Sequence, residues 1–137
     1  MNKRAPDWDI DRQIGSQAEL WVSDLMASLK DVGRVEVKSD DYALKLERVY
    51  VEYECKGKNG WYPSGIAESE ADLYVFKFGD LPGALVIEKN WLKRAAKHAY
   101  RNGALKECNR GSHPTKGVVV TLRDLWTTRD NSRSPII

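Results

Sequence analysis

The sequence predicts an α/β or α+β fold, with helices flanking one mixed β-sheet. Apolar residues recur at three- and four-residue steps from Ile10 to Leu29, the spacing of an amphipathic helix. Several shorter runs further along alternate or are continuously apolar, as strands are, and a second helical pattern falls between the last two of them. Helix, strands, helix, strand in that order builds layers on one sheet.

The first helix would bury Ile10, Ile14, Ala18, Trp21, Val22, Leu25, Met26 and Leu29, and end at Gly33. Its start is open: Gly15 lies inside it, or Ser16 caps it with Glu19 completing a capping box. "RVEVK" (34–38) and "ERVYVEYEC" (47–55) alternate on either side of "SDDY", which predicts an antiparallel hairpin. "KGKNGWYPSG" is turn-rich. "ADLYVFKF" (71–78) and "ALVIE" (84–88) are strands around the "GDLPG" turn.

Asn90 can cap a second helix that turns Leu92, Ala95, Ala96 and Ala99 inward and stops at Gly103. "GVVVTL" (117–122) is a continuous apolar strand suited to a sheet centre. Residues 1–126 then form a single domain, and 127–137 a flexible tail.

The chain has 137 residues, enough for one domain with a real core. With 42% hydrophobic and 31% charged residues and a formal net charge of +2, it reads as an ordinary globular protein, too weakly basic for global charge to indicate nucleic acid. No run approaches the roughly 18 apolar residues of a membrane span, and the start has no apolar signal region, so a cytoplasmic protein is expected. Cys55 and Cys108 form no CxxC pair and read as free thiols, which argues against structural zinc.

The chemistry concentrates in "VEYECK" (51–56). Strand alternation puts Glu52, Glu54 and Lys56 on one face, and adjacent carboxylates are costly unless a cation neutralises them. Mg²⁺ suits them, because it takes one or two carboxylates and completes its shell with water and substrate phosphate. Asp40 or Asp41 can add a carboxylate from the end of the preceding strand, and Glu19 can reach in from the helix. Each has a plainer reading: a solvated strand face for "VEYECK", turn residues for the aspartates and a capping residue for Glu19.

The set Glu19, Asp40 or Asp41, Glu54 and Lys56 resembles the PD-(D/E)XK nuclease superfamily, which has an acid on the first helix, an Asp ending one strand and (D/E)-x-K on the next. More narrowly, "VEVKSDDYA", "VYVEYECKG" and "PSGIAESEADLYVF" look like small phage-encoded endonucleases of that superfamily, among which Holliday-junction resolvases occur. The resemblance implies a restriction-endonuclease-like αβββαβ core and a homodimeric, Mg²⁺-dependent DNA endonuclease, with Mn²⁺ as a substitute, in a bacterial or phage-infected cell. It implies catalytic Glu19, Asp40, Glu54 and Lys56, with metal ligands drawn from Asp40, Asp41, Glu52 and Glu54. Ser39 stands where the motif has proline. Glu54-Cys55-Lys56 gives an ExK register and Glu52-Tyr53-Glu54 an ExE one, and both stay open; Glu36-Val37-Lys38 is a third match, ranked lower.

A domain this small has little surface for reading base sequence, which favours branched DNA recognised by shape and backbone charge. The phosphate-tracking candidates are Lys93, Arg94, Lys97 and Arg101 on the second helix, with Lys56, Lys58, Arg110 and Lys116. A wet helix face is the alternative for the stripe. Trp61 and Tyr62 can stack on unpaired bases or cap the core. The alternative function is a non-catalytic DNA- or protein-binding module on the same scaffold. His98 and His113 lack a partner spacing, Ser64 and Ser69 lack an adjacent base, and Asp72 either extends the acidic site or begins its strand.

Overall fold

The chain builds two sheets where one was expected. In the computed structural model, residues 8–30, 34–108 and 113–129 are described. Strand β1 (Val35–Ser39) pairs in parallel with β4 (Leu73–Lys77), which pairs antiparallel with β5 (Ala84–Glu88). The second sheet is antiparallel throughout, in the order β3 (Gly60–Pro63), β2 (Arg48–Gly57), β7 (Thr115–Thr121), β6 (Leu105–Cys108).

The expected β1–β2 hairpin therefore does not form. After β1 the chain makes a helical turn, α2 (Ala43–Leu46), which buries Ala43 and ends at Glu47 in the left-handed region (φ 52°). That detour carries β2 out of the first sheet and leaves β1 to the apolar β4. The hairpin that does form is β2–β3: Gly57 pairs with Gly60, leaving Lys58 and Asn59 as a two-residue turn. Within the turn-rich "KGKNGWYPSG", "GWYP" is therefore strand.

The long helix α1 (Trp8–Leu29) runs straight through Gly15, so Ser16 is not its cap and Glu19 has no capping role. Its burial also differs from expectation, because Trp21, Val22 and Met26 are exposed. Trp21 and Leu25 line a cavity together with Leu73 at the start of β4 and Asn90 beyond β5. Gly33 lies outside the described residues.

The second helix, α3 (Lys89–Arg101), continues directly from β5, and its cap residue is Glu88, not Asn90, without a side-chain cap bond. Leu92, Ala95, Ala96 and Ala99 are buried as their spacing predicts, and Gly103 follows with φ 84°. They pack with Val49, Val51, Tyr74, Phe76, Ile87, Val118 and Val120 in one core. β7 sits between β2 and β6.

The strand ends at Thr121 and is followed by a helix that the sequence reading took for strand end and tail. Thr121 and Asp124 form a reciprocal capping box at the start of α4 (Leu122–Thr127), and Leu125 is buried. Trp91 Nε1 donates to the Leu125 carbonyl at 2.8 Å, tying α4 to α3. Residues 130–137 of the expected tail lie outside the described residues.

Cys108 ends β6. Cys55 and Cys108 are both free, and each lies directly opposite Thr115 from its own side of β7. Two strand spacings separate them by about 10 Å, beyond disulfide reach. Among the described residues no helix is long and apolar enough to cross a membrane.

Candidate active site

Asp40 is held at the end of β1. Its backbone N–H donates to the Lys77 carbonyl at 2.8 Å, extending the β1–β4 ladder by one residue, and its Oδ1 accepts the backbone N–H of Tyr42 at 2.9 Å. That second bond is the local turn aspartate favours, and among the described residues it leaves Oδ2 unengaged. Alternation along β1 puts Lys38 on the same side. Lys38 Nζ pairs with Glu36 at 2.9 Å.

Glu52 is held by the segment "PSGI". Ser64 donates its hydroxyl to Glu52 Oε2 at 2.8 Å, and its backbone N–H donates to the Tyr53 carbonyl at 2.9 Å. Gly65 makes that approach possible. It has φ 53°, and a Cβ there would lie 2.3 Å from the Glu52 carbonyl oxygen. Only glycine lets the turn Gly65–Ala67 lie on the β2 backbone, and the turn brings the serine to the carboxylate.

Asp40 and Glu52, from different sheets, line one cavity of about 150 Å³ together with Lys38, Tyr74 and Phe76. It opens toward a larger groove of about 640 Å³ that shares Ser39, Asp40 and Tyr50 and adds Asp41, Arg48 and Lys106. Tyr50 is fixed between them: its ring covers Gly117, where a Cβ would come within 2.4 Å, and its hydroxyl bonds Thr115 at 3.0 Å. Burial pushes the Tyr50 phenol pKa up, opposed by the Thr115 bond. The Tyr74 pKa is raised by burial, with Ser69 acting the other way.

The Tyr74 hydroxyl is fully buried, with the Ser69 side chain as its hydrogen-bonding neighbour.

Two half-buried carboxylates, each with one oxygen fixed and the other unengaged among the described residues, line this mostly apolar cavity and would offer a hydrated Mg²⁺ two oxygen ligands. Among the described residues no group of three or more His, Cys, Asp or Glu side chains is placed to hold a metal. The protein ligands to Mg²⁺ would therefore be Asp40 and Glu52, and waters would complete the shell.

Glu54 is elsewhere. The β2–β7 register shifts between Glu52, opposite Gly117, and Glu54, opposite Lys116. Because β7 is regular there, Gly117 and Lys116 point to opposite faces, and so do Glu52 and Glu54. Glu54 pairs with Lys116 at 3.8 Å, and Lys116 lies 4.1 Å over the Trp61 ring, with Lys56 at 5.9 Å. Glu54, Lys56, Trp61 and Lys116 are thus one cluster, separate from the Asp40–Glu52 cavity.

Glu19 is exposed on α1. Asp41 is exposed at the groove, its Oδ1 2.5 Å from where a Cβ on Gly79 would lie. Lys58 is exposed in the β2–β3 turn. On α3, Lys93 is half-buried and Arg94, Lys97 and Arg101 are exposed, while Arg110 lies outside the described residues. His98 is 3.7 Å from Asp124.

Sequence reasoning did not find Ser64 as a partner of Glu52, and it met Lys38 only in the lower-ranked Glu36-Val37-Lys38 match, although Lys38 carries a signal in preceding Asp40 by two in a strand. No protein-family model, curated protein or solved structure matches the chain.

Proposed function

We propose that the chain is a metal-dependent DNA endonuclease centred on the Asp40–Glu52 cavity. The observation that carries this reading is that two carboxylates from different sheets line one small cavity beside Lys38, next to a larger groove. Mg²⁺, when bound, screens charge on a phosphodiester and acidifies a water for in-line attack.

The chain's own groups do the rest. Ser64 and the Tyr42 amide fix one oxygen of each carboxylate, so the site is arranged before substrate arrives. Lys38, lining the cavity, is suited to hold a phosphate oxygen, the role the motif would give Lys56. Arg48 and Lys106 flank the groove and would track the backbone on either side of the scissile phosphate. Glu54 and Lys56, on the other face of β2, would act outside the metal site.

Branched DNA remains the favoured substrate, because exposed Arg94, Lys97 and Arg101 and the Trp61–Lys116 cluster offer charge and aromatic surface without a base-reading element. Paired incision of a junction would use two copies. The second reading, a binding module without catalysis, is favoured by the absence of a third acidic ligand among the described residues.

The test is cleavage of a labelled four-way junction and matched duplex with Mg²⁺, Mn²⁺ and chelator. Metal-dependent cutting lost in Asp40→Asn and Glu52→Gln supports the nuclease. Salt-sensitive binding without cutting in any metal supports the module. Equal cutting of both substrates would sink the junction preference alone.

A further inference from the structure

Tyr42 follows Asp40 by two residues and is tied to it, its backbone N–H donating to Asp40 Oδ1 at 2.9 Å. The side chain takes no part in that bond and makes no cap bond to α2. It is 54% exposed, and among the described residues it has no hydrogen bond or ring contact. An isolated exposed aromatic needs no explanation. Tyr42, however, lines the groove beside the Asp40–Glu52 cavity.

The second sheet supplies the rest of that groove. Arg48 and Tyr50 share a face of β2 with Glu52 by alternation, and Lys106 of β6 stands opposite Gly117, which stands opposite Glu52. Lys106 is thus two strand spacings from Glu52, about 10 Å, and the Tyr50 ring lies on Gly117 between them. Arg48 and Lys106 both line the groove, and among the described residues neither is in an ion pair. Other cations are engaged: Lys38 with Glu36, and Lys116 with Glu54. Trp61 already carries Lys116 over its ring.

One groove therefore holds an uncommitted aromatic ring and two uncommitted cations beside a pair of carboxylates. Cations that track a backbone, combined with an aromatic side chain that takes a base, are how single strands are held. A paired base has its faces covered by its neighbours in the stack, so only an unpaired one is free for Tyr42. The groove volume, about 640 Å³, lies within the roughly 300–1,000 Å³ of sites that enclose a small molecule, and suits a short stretch of single strand.

We propose that this groove holds an unpaired stretch of DNA strand, one base stacked on Tyr42 and the flanking phosphates on Arg48 and Lys106. This rests on the nuclease reading of the adjoining cavity and names the strand it would act on: the unpaired segment at a branch or an end.

The experiment is fluorescence anisotropy with the full chain in chelator, so that no strand is cut. The probes are a labelled oligothymidine, an oligomer of the same charge whose central nucleotides are abasic, and a matched duplex. Tyr42→Ala keeps the backbone N–H that Asp40 accepts, and a thermal melt checks its fold; should it not fold, Tyr42→Leu takes its place. Tyr42→Ala should bind oligothymidine at least about fivefold more weakly, the loss of one stacked base. It should bind the abasic oligomer and the duplex as wild type does, and Tyr42→Phe should match wild type on all three. Arg48→Gln combined with Lys106→Gln should weaken both single strands and lower their salt slope by about 0.7 for each lost phosphate contact. Unchanged oligothymidine affinity in Tyr42→Ala overturns the proposal, as does an equal loss on the abasic oligomer or the duplex, or no oligothymidine binding by wild type. An unchanged salt slope in the double variant overturns it too. Binding as expected by a chain that cuts nothing in Mg²⁺ or Mn²⁺ supports the groove and removes the nuclease. Metal-dependent cutting with affinity unchanged in Tyr42→Ala does the reverse.

Discussion

Glu52 and Glu54 stand two positions apart on β2 and point to opposite faces of it, because the strand bulges between them: Glu52 lies opposite Gly117, and Glu54 opposite the next residue along, Lys116. Regular alternation would put the two carboxylates side by side. The single extra residue sends Glu52 to the cavity with Asp40 and Glu54 to Lys116 and Trp61. Glu52→Gln should therefore reduce cleavage at least about a hundredfold, the scale of losing a preorganised charge, while Glu54→Gln stays within a few-fold of wild type. Single-turnover rates on one substrate measure both, and the reverse order would return the centre to the ExK register.

Gly65 carries the turn that holds Glu52. Its left-handed φ and the contact a Cβ would make with the Glu52 carbonyl leave no room for a side chain. Gly65→Ala should cost about 1–3 kcal/mol of stability from the backbone conformation alone, with metal binding weakened because Ser64 moves with the turn. Urea unfolding and Mn²⁺ titration together check this. Ser64→Ala, which removes only the hydroxyl, should weaken metal binding and leave stability within about 1.5 kcal/mol of wild type.

Alkaline stability follows from the phenols. The Tyr50 and Tyr74 pKa values are raised in the folded state, so the unfolded chain loses these protons first as pH rises. Their contribution to stability is complete below the ordinary phenol value of about 10 and disappears as pH climbs from there through the folded values. Chemical unfolding at pH 8, 9.5 and 10.5 should show a falling free energy at the top of the series. Tyr74→Phe should fall less steeply, and an equal fall would show that Tyr74 takes no part.

The α3 stripe separates phosphate contact from a wet face. Replacing Arg94, Lys97 and Arg101 by Gln should lower the salt dependence of duplex binding by about 0.9 log units per log unit of salt for each lost phosphate contact. An unchanged slope would mark the stripe as a solvated face. The helix should tolerate the change, since all three residues are exposed.

Leu92 has no exposed surface and lies at the centre of the core, packed with β-strand residues such as Phe76 and Val120. Leu92→Ala should cost roughly 2–5 kcal/mol by leaving a cavity, measured by the same urea series. A cost well below that range would mean the core repacks around the gap.

The sequence by itself determined the pieces whose signal is local. The buried face of α3 follows from residues three and four apart, β5 from one apolar run, and the place of β7 between two strands from three successive valines. The two candidate carboxylates could be picked out in the sequence as well, because Asp40 and Glu52 stand within or at the end of strand patterns. What only the tertiary structure decided is how those pieces meet. A parallel β1–β4 partnership joins residues 38 apart in the chain, such as Val35 and Leu73, and no local pattern encodes it. A bulge is one unpaired residue against the regular partner strand β7, invisible to a period-two reading, yet it reverses the face of everything after it. The capping box of α4 was readable in principle, but the apolar run of β7 continues into Leu122 and hid it. The candidate site depends on those long-range choices. Its two carboxylates come from different sheets, which only the fold brings to one cavity.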